Sequence, residues 1–194
     1  MSTTAWVVTA VVVVAIVVVA ALLWTSARRR NLQQRFGPEY ERQVARHGDR
    51  GAAERELRER EQRHAKLEIR ELSDADRQRY VQQWHEVQAS FVEDPSQAVN
   101  AADALLTRIM SDLGYPTGEF EEQASTLSVE HSRTLGRYRL AHEISLANER
   151  QEASTEQLRQ ALVHYRTLAE ELLGTETAHA NVDADQPTEQ RNLS

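Results

Sequence analysis

Hydrophobic and polar residues follow three distinct patterns along this chain. Residues 5–24 are uncharged and almost entirely apolar, residues 25–72 are rich in charged residues, and residues 73–174 carry apolar side chains at helical spacing. Residues 175–194 are mostly polar and contain a proline, a composition typical of a disordered tail. After a short flank of residues 1–4, the pattern therefore predicts an apolar helix, a charged segment, a folded domain and a tail.

The folded domain is predicted to contain five helices, because apolar residues recur there every three or four positions. The first helix starts at the capping sequence SDAD at Ser73, the second at Pro95, and the last at the capping box STEQ at Ser154. Gly114 and Gly174 follow the stripes of the second and last helices, where a glycine commonly ends a helix. No segment alternates with period two, so the predicted fold class is all-α, with a small bundle of about five short helices.

The bulky aromatic residues of the bundle allow two interpretations. One is core packing, which is predicted for Trp84, Phe91, Phe120, Tyr138 and Tyr165. The other is a pocket between helices, lined by Tyr138, His142, His164 and Tyr165. His164 precedes a core tyrosine in the sequence HYR, at the edge of the buried face, where an imidazole can titrate near neutral pH. Such a pocket would belong to a sensor or to an enzyme subunit.

The charged segment, residues 25–72, is predicted to form a stalk between the apolar helix and the bundle. Phe36, Tyr40 and Val44 recur every four residues beside the break FGP and indicate one short amphipathic helix, and HGDRG at 47–51 is a turn signal. From Ala52 to Leu67 nine of the sixteen residues are charged, and Glu and Arg recur four positions apart. This pattern predicts a solvent-exposed helix with no broad apolar face.

Positive charge is concentrated in the same segment. The formal net charge is −7, but residues 28–72 have an excess of basic residues and residues 73–174 an excess of acidic ones. The arginines near the apolar stretch could rest on anionic lipid headgroups: Arg28, Arg29, Arg30, Arg35, Arg42 and Arg46. The acidic bundle would be repelled by phosphates, which argues against nucleic-acid binding.

The apolar stretch from Ala5 to Trp24 carries no charge, and as a helix it would span about 30 Å, the thickness of the hydrocarbon layer. Only a helix pairs its backbone groups internally in lipid, so the run of valines does not argue against one. Trp6 and Trp24 stand near its two ends, as in an interfacial aromatic belt. The sequence therefore predicts a transmembrane helix over residues 5–24, with both tryptophans at the membrane interfaces.

A retained anchor is favoured over a cleaved signal peptide, because the start MSTT has no basic residue and the apolar core is too long. Arg28, Arg29 and Arg30 follow the stretch, and basic residues flanking a span stay on the cytoplasmic side. The predicted location is the bacterial cytoplasmic membrane, single-pass, with the amino terminus outside and the C-terminal domain in the cytoplasm. The alternative is an exported protein that has lost about the first 27 residues by cleavage at the sequence TSA.

Motifs for catalysis, cofactor binding and metal binding are not found in the sequence. The chain has no cysteine, no Gly-x-Ser-x-Gly, no phosphate-binding glycine loop and no His-Glu-x-x-His. His131 has no histidine or carboxylate three or four residues away, and His64 has two such glutamates only on a helix predicted to be exposed. The sequence therefore predicts a protein that is not an enzyme and holds no cofactor or metal.

The chain resembles a family of small membrane-anchored helical proteins of actinobacteria and other GC-rich bacteria in four segments: LQQRFGPEYER, GYP, YRLAHEI and ASTEQLRQALVHYRTLAEELL. The resemblance covers residues 32–173, and its last segment is the most specific. It implies a single span, a charged linker and a helical domain. It implies no activity, because none is assigned to the family. Members read DHP where this chain has EHS, residues 130–132.

These patterns together predict a non-enzymatic helical module tethered to a membrane. Its acidic bundle would be presented to the cytoplasm as an interaction or scaffold surface for a protein partner. The lipid bilayer would be its second partner, through the apolar helix and the neighbouring arginines.

Overall fold

The computed structural model describes residues 3–174, which form eight α-helices and no strand. The helices are α1 (Thr3–Phe36), α2 (Pro38–His47), α3 (Arg50–His64), α4 (Asp74–Ser90), α5 (Pro95–Leu113), α6 (Phe120–Leu127), α7 (Ser132–Glu149) and α8 (Thr155–Leu173). The all-α class is confirmed, and α4 to α8 are the five helices of the bundle. Residues 1–2 and the predicted tail, residues 175–194, lie outside the described residues.

Polar side chains start several helices at the positions that the sequence predicts. The Oγ atom of Ser73 accepts the amide hydrogen of Asp76 at 3.1 Å. The carboxylate of Asp94 caps α5 in the same way, and Ser154 exchanges hydrogen bonds with Gln157 in a capping box. These caps satisfy amides that have no partner in the first turn of a helix, so they fix where each helix begins.

The main hydrophobic core lies among α4, α5, α7 and α8. α8 packs against both α5 and α7, and α4 covers α5 from another side. Trp84, Tyr138 and Tyr165 are buried in this core, as predicted. Phe91 and Phe120 are half-buried and pack against its edge. Since each fully buried large apolar side chain contributes about 1.5–3 kcal/mol, this core is the principal source of stability of the bundle.

A second, smaller core joins the end of α1 to the rest of the chain. It consists of five buried residues: Leu32, Phe36, Tyr40, Leu57 and Val129. They come from α1, α2, α3 and the connection between α6 and α7. The charged segment therefore folds against the bundle, instead of standing between the bundle and the apolar helix.

The expectation of a fully solvent-exposed stalk helix is wrong for one face of α3. Ala53 and Leu57 are completely buried, and Arg60 and His64 on the same face are at most 9% exposed. These four positions follow helical spacing, but two of them carry polar side chains. The hydrophobic pattern did not reveal this buried face, because two of its residues, Arg60 and His64, are polar and their buried or neighbouring partners are distant in sequence.

Gly114, which ends α5, provides a test of how closely the bundle and the charged segment approach each other. Its φ of +91° favours glycine, and an added Cβ would collide with the backbone carbonyl oxygen of Glu68. We expect Gly114→Ala to lower the free energy of unfolding by at least about 1–2 kcal/mol, the usual cost of a left-handed residue with a side chain.

The matched control is Gly136→Ala in α7, where an added Cβ meets no atom within 4 Å. Because glycine is a poor helix former, this change should raise stability by about 0.5–1 kcal/mol. Urea denaturation of both variants measures the difference, and a Gly114→Ala variant as stable as the parent would contradict the described approach of Gly114 to Glu68.

The first helix, α1, runs without a break for 34 residues and is long and apolar enough to cross a membrane. Its described large apolar side chains between residues 12 and 24 are at least 50% exposed. Near its other end, Leu32 and Phe36 are buried in the second core. The helix thus has one exposed apolar part and one end that is built into the fold.

Candidate functional site at the junction of the apolar helix and the bundle

The chain reverses direction directly after α1. Gly37 has a φ of +47°, a conformation that residues with a side chain rarely adopt, and Pro38 then starts α2. Gly48 and Asp49 connect α2 to α3, and the side chain of Asp49 caps α3 by accepting the amide hydrogen of Ala52 at 2.8 Å. The two helices form an antiparallel hairpin, which we call the α2–α3 hairpin (residues 38–64).

Ion pairs align α3 with the end of α1. The guanidinium of Arg29 lies 3.6 Å from the carboxylate of Glu54, and that of Arg35 lies 3.3 Å from that of Glu61. The hydroxyl of Tyr40 donates to Glu54 at 2.9 Å, and burial together with this bond raises the pKa of Tyr40. The ion pair with the higher residue number in α1 also has the higher residue number in α3, so the two helices run parallel.

A buried ionic cluster of Glu39, Arg60 and Arg139 lies at this junction. The Oε1 atom of Glu39 is 3.1 Å from Nη1 of Arg60 and 3.2 Å from Nη2 of Arg139. The three side chains are at most 5% exposed, and the amide of Gln43 donates to the same oxygen at 2.8 Å. A single carboxylate therefore joins α2, α3 and α7.

The cluster favours an arrangement of these helices in which Glu39 reaches both guanidinium groups. Taking charges out of water costs several kcal/mol per ion, and their attraction offsets this only when the geometry is good. Each guanidinium also reaches a second, less buried carboxylate: Arg60 pairs with Glu56 at 3.0 Å and Arg139 with Glu121 at 3.2 Å. A shift of α2 would separate the buried carboxylate of Glu39 from both guanidinium groups.

Two further hydrogen bonds tie the end of α1 to the connection before α7. The Nε atom of Arg35 donates to the carbonyl oxygen of Val129 at 3.3 Å, and the hydroxyl of Ser132 donates to the carbonyl oxygen of Arg35 at 2.9 Å. Arg35 is therefore held by the protein itself. Its side chain nevertheless remains 45% exposed, so contact with a lipid headgroup stays a prediction.

The residues predicted for the membrane boundary are largely exposed. Trp6 and Trp24 are 69% and 66% exposed, and their separation of 18 positions corresponds to about 27 Å of helix. The guanidinium of Arg28 lies over the ring of Trp24, 5.4 Å from its centroid. Arg30 is exposed, whereas Arg29 is half-buried beside Glu54.

Three of the four predicted pocket residues belong to one row of aromatic rings. Tyr138 meets Tyr165 edge-on at 6.1 Å in the core, Phe120 contacts Tyr138 at 5.1 Å, and His142 stacks on Phe120 at 3.7 Å. His164 is partly exposed on α8, and burial together with the charge of Arg137 lowers its pKa. The two tyrosines and Phe120 contribute to packing. A pocket made by all four residues stays a hypothesis.

A polar network that the sequence did not reveal lies at the start of α7. The Nδ1 atom of His131 is 2.7 Å from a carboxylate oxygen of Glu171, and its Nε2 atom is 3.3 Å from the hydroxyl of Tyr115. Tyr115 donates to Glu130 at 3.1 Å, and Nε2 of His64 lies 3.7 Å from the same carboxylate. Glu171 follows His131 by 40 positions, so helical spacing could not have identified the pair.

The pH dependence of stability should reflect this network. Burial alone would raise the pKa of Glu171, but the hydrogen bonds from His131 and Thr134 outweigh it and the pKa is lowered. A lowered pKa means that the stabilisation by Glu171 is complete above the ordinary glutamate value of about 4.3 and is lost as the pH falls through the folded-state value. As the pH is lowered from about 6 to about 3, the melting temperature of Glu171→Gln should therefore fall less than that of the parent.

The control for this comparison is Glu143→Gln, which changes an exposed glutamate of α7. Its melting temperature should follow the parent at every pH. Parallel curves for the parent and Glu171→Gln would show that the carboxylate does not contribute in this way.

Comparison of the chain with known proteins gives no functional assignment. No family model matches it, and neither the curated proteins nor the solved structures give a significant match. Within residues 3–174, no group of three or more His, Asp or Glu side chains is placed to hold a metal ion. The family resemblance of the four sequence segments stays a prediction.

Proposed function

We propose that this protein is a single-pass, membrane-tethered helical module that holds an acidic bundle at the membrane surface for a protein partner. The observation that carries the proposal is α1, whose exposed apolar part continues without a break into an end that is buried in the fold. The role is one of binding and placement, not of catalysis.

The exposed part of α1 supports the membrane as its environment. Valine, isoleucine and leucine side chains are exposed on all sides of the helix between residues 12 and 23. An apolar surface of this extent is rare on a soluble monomer, because it would have to be solvated by water. In a bilayer the same surface faces lipid, and the helix satisfies its own backbone groups.

The flanking charges support the proposed orientation, with the bundle in the cytoplasm and the amino terminus outside. Arg28 and Arg30 are exposed next to the apolar part, and basic residues at such positions favour the cytoplasmic side. The excess of acidic residues in 73–174 gives the bundle a surface that fits a partner with basic residues.

The proposed location can be tested by extracting bacterial membranes that contain the full chain with alkaline carbonate. We expect the protein to remain in the membrane pellet at its full-length mass. Val13→Asp together with Val17→Asp should move it to the soluble fraction, because each acidic residue in the middle of a span costs about 2.5–3.5 kcal/mol. The control replaces the same two valines by leucine, which keeps the helix apolar.

The exported alternative has its own outcome in the same experiment. The buried part of α1 begins at Leu32, so cleavage near residue 27 would leave the second core complete. A mature chain that lacks about the first 27 residues would therefore overturn the anchor and support export. The orientation can be tested with a reporter that is active only outside the cytoplasm, fused after Ser194. Activity of this reporter would overturn the proposed orientation.

A further inference from the structure

The contacts between α1 and α3 fix which part of the α2–α3 hairpin lies beside the apolar helix. Arg29 pairs with Glu54 and Arg35 pairs with Glu61, which are offsets of 25 and 26 residues between parallel helices. Leu32 and Leu57 share the second core at the same offset. By this alignment, Arg50 at the start of α3 lies level with residue 25 of α1, to within about one helical turn.

The turn of the hairpin, residues 46–51, is therefore level with Trp24, at the charged boundary of the apolar part of α1. α2 runs antiparallel to α3, so its last residues reach the same level. Neighbouring packed helices lie about 8–10 Å apart, so the turn is separated from α1 by roughly one helix. If Trp24 lies at the membrane interface, the turn reaches the headgroups beside it.

The side chains around the turn are exposed and mostly basic. Arg42, Arg46, His47 and Arg50 are all exposed, and an added Cβ at Gly48 would meet no atom within 4 Å. Neither Arg42 nor Arg50 forms an ion pair with any residue between positions 3 and 174.

Three acidic side chains could compete for these basic groups. Arg46 pairs with Glu121 at 3.8 Å, but both side chains are more than 60% exposed, and such pairs are weak. The carboxylate of Asp49 is bound to the amide of Ala52, and Glu41 is exposed on α2. Residues 41–51 carry three arginines against Glu41 and Asp49, which leaves a formal excess of one positive charge on the turn itself.

We propose that this turn is a second membrane contact, which binds the anionic headgroups of phospholipids next to the apolar helix. The inference rests on the proposed membrane anchor and adds a headgroup-binding surface to it. Guanidinium groups suit this ligand because they donate two parallel hydrogen bonds to a phosphate. Each basic residue near an anionic surface strengthens binding by about fivefold, so Arg42 and Arg50 together account for about 25-fold.

The experiment uses the full chain in vesicles and one cysteine at a time, since the natural sequence has none. Ala45→Cys places a fluorescent label on the last turn of α2, and Gln62→Cys places it near the far end of α3; both positions are exposed. The second label lies on the order of 15 Å farther along the hairpin. The vesicles contain phosphatidylcholine with or without about 30 mol% phosphatidylglycerol, chosen to approach a bacterial charge density, and they carry a quencher on a lipid headgroup.

We expect stronger quenching of the label at position 45 in the anionic vesicles than in pure phosphatidylcholine. The label at position 62 should be weakly quenched in both lipids. Arg42→Gln together with Arg50→Gln should lower the ratio of docked to free turns by about 25-fold. The charge-matched control, Arg70→Gln with Arg108→Gln, changes two other exposed arginines and should leave quenching unchanged.

Flotation of the same samples separates this inference from the proposed function. A chain that floats with the vesicles but is quenched equally at positions 45 and 62, or equally in both lipids, overturns the headgroup contact and leaves the anchor intact. Unchanged quenching in the Arg42 and Arg50 variant overturns it as well. A chain that does not float overturns both.

Discussion

Replacing Glu39 with alanine is expected to lower the free energy of unfolding by about 3–5 kcal/mol, the usual cost of removing one partner from a buried ion pair. The change leaves the guanidinium groups of Arg60 and Arg139 buried without the carboxylate that they share. It also removes the acceptor of the hydrogen bond from Gln43. Chemical denaturation of the full chain in detergent micelles measures the loss.

Glu41→Ala is the matched control for this prediction, because Glu41 is exposed two residues later in α2. Its effect should stay within about 0.5 kcal/mol. Apolar residues of similar volume at positions 39, 60 and 139 together should restore most of the stability, since a whole buried ionic cluster can often be replaced without loss. Equal denaturation midpoints for Glu39→Ala and Glu41→Ala would contradict the described burial.

Leu57→Ala is expected to cost about 2–5 kcal/mol, as large-to-small changes in a core do. Leu57 is completely buried in the second core, between the end of α1 and the connection before α7. The prediction separates two descriptions of α3. A solvent-exposed stalk helix would tolerate the change, whereas a helix packed against the bundle would not.

Leu140→Ala is the control for Leu57→Ala, because it makes the same change at a position of α7 that is 43% exposed. It should cost well under half as much, since much of its side chain already contacts solvent. Urea midpoints of the two variants compare them directly. Equal midpoints for Leu57→Ala and Leu140→Ala would indicate that α3 is a solvent-exposed stalk helix after all.

The parts of the fold that the sequence predicted are those fixed by local signals. Ser73, Asp94 and Ser154 satisfy amides within their own first turns, and Gly114 and Gly174 end helices through their own left-handed conformation. The apolar stripes of α5 and α8 are continuous enough to identify the core. Such features depend on residues three or four positions apart, so one sequence is enough to find them.

The junction could not be predicted in this way, because its partners are polar and distant. Arg60 has a suitable glutamate four residues earlier, which made α3 resemble an exposed helix, while its buried partner Glu39 is 21 positions away. Arg139 reaches the same carboxylate across 100 positions. The sequence did contain a signal for this buried face, the helical spacing of Ala53, Leu57, Arg60 and His64. A search for apolar residues alone misses it, because two of the four side chains are polar.

If α1 is the membrane anchor proposed above, its uninterrupted path from the apolar part to Phe36 would also couple the bundle to the thickness of the bilayer. A helix whose apolar length exceeds the local hydrocarbon layer tilts, and tilts of about 20° are ordinary. Phe36 lies about 18 Å beyond Trp24, so such a tilt moves the start of the folded domain sideways by about 6 Å. Because the helix has no break before Gly37, the bundle would turn with it, and hydrophobic mismatch would then set the direction in which the acidic surface faces.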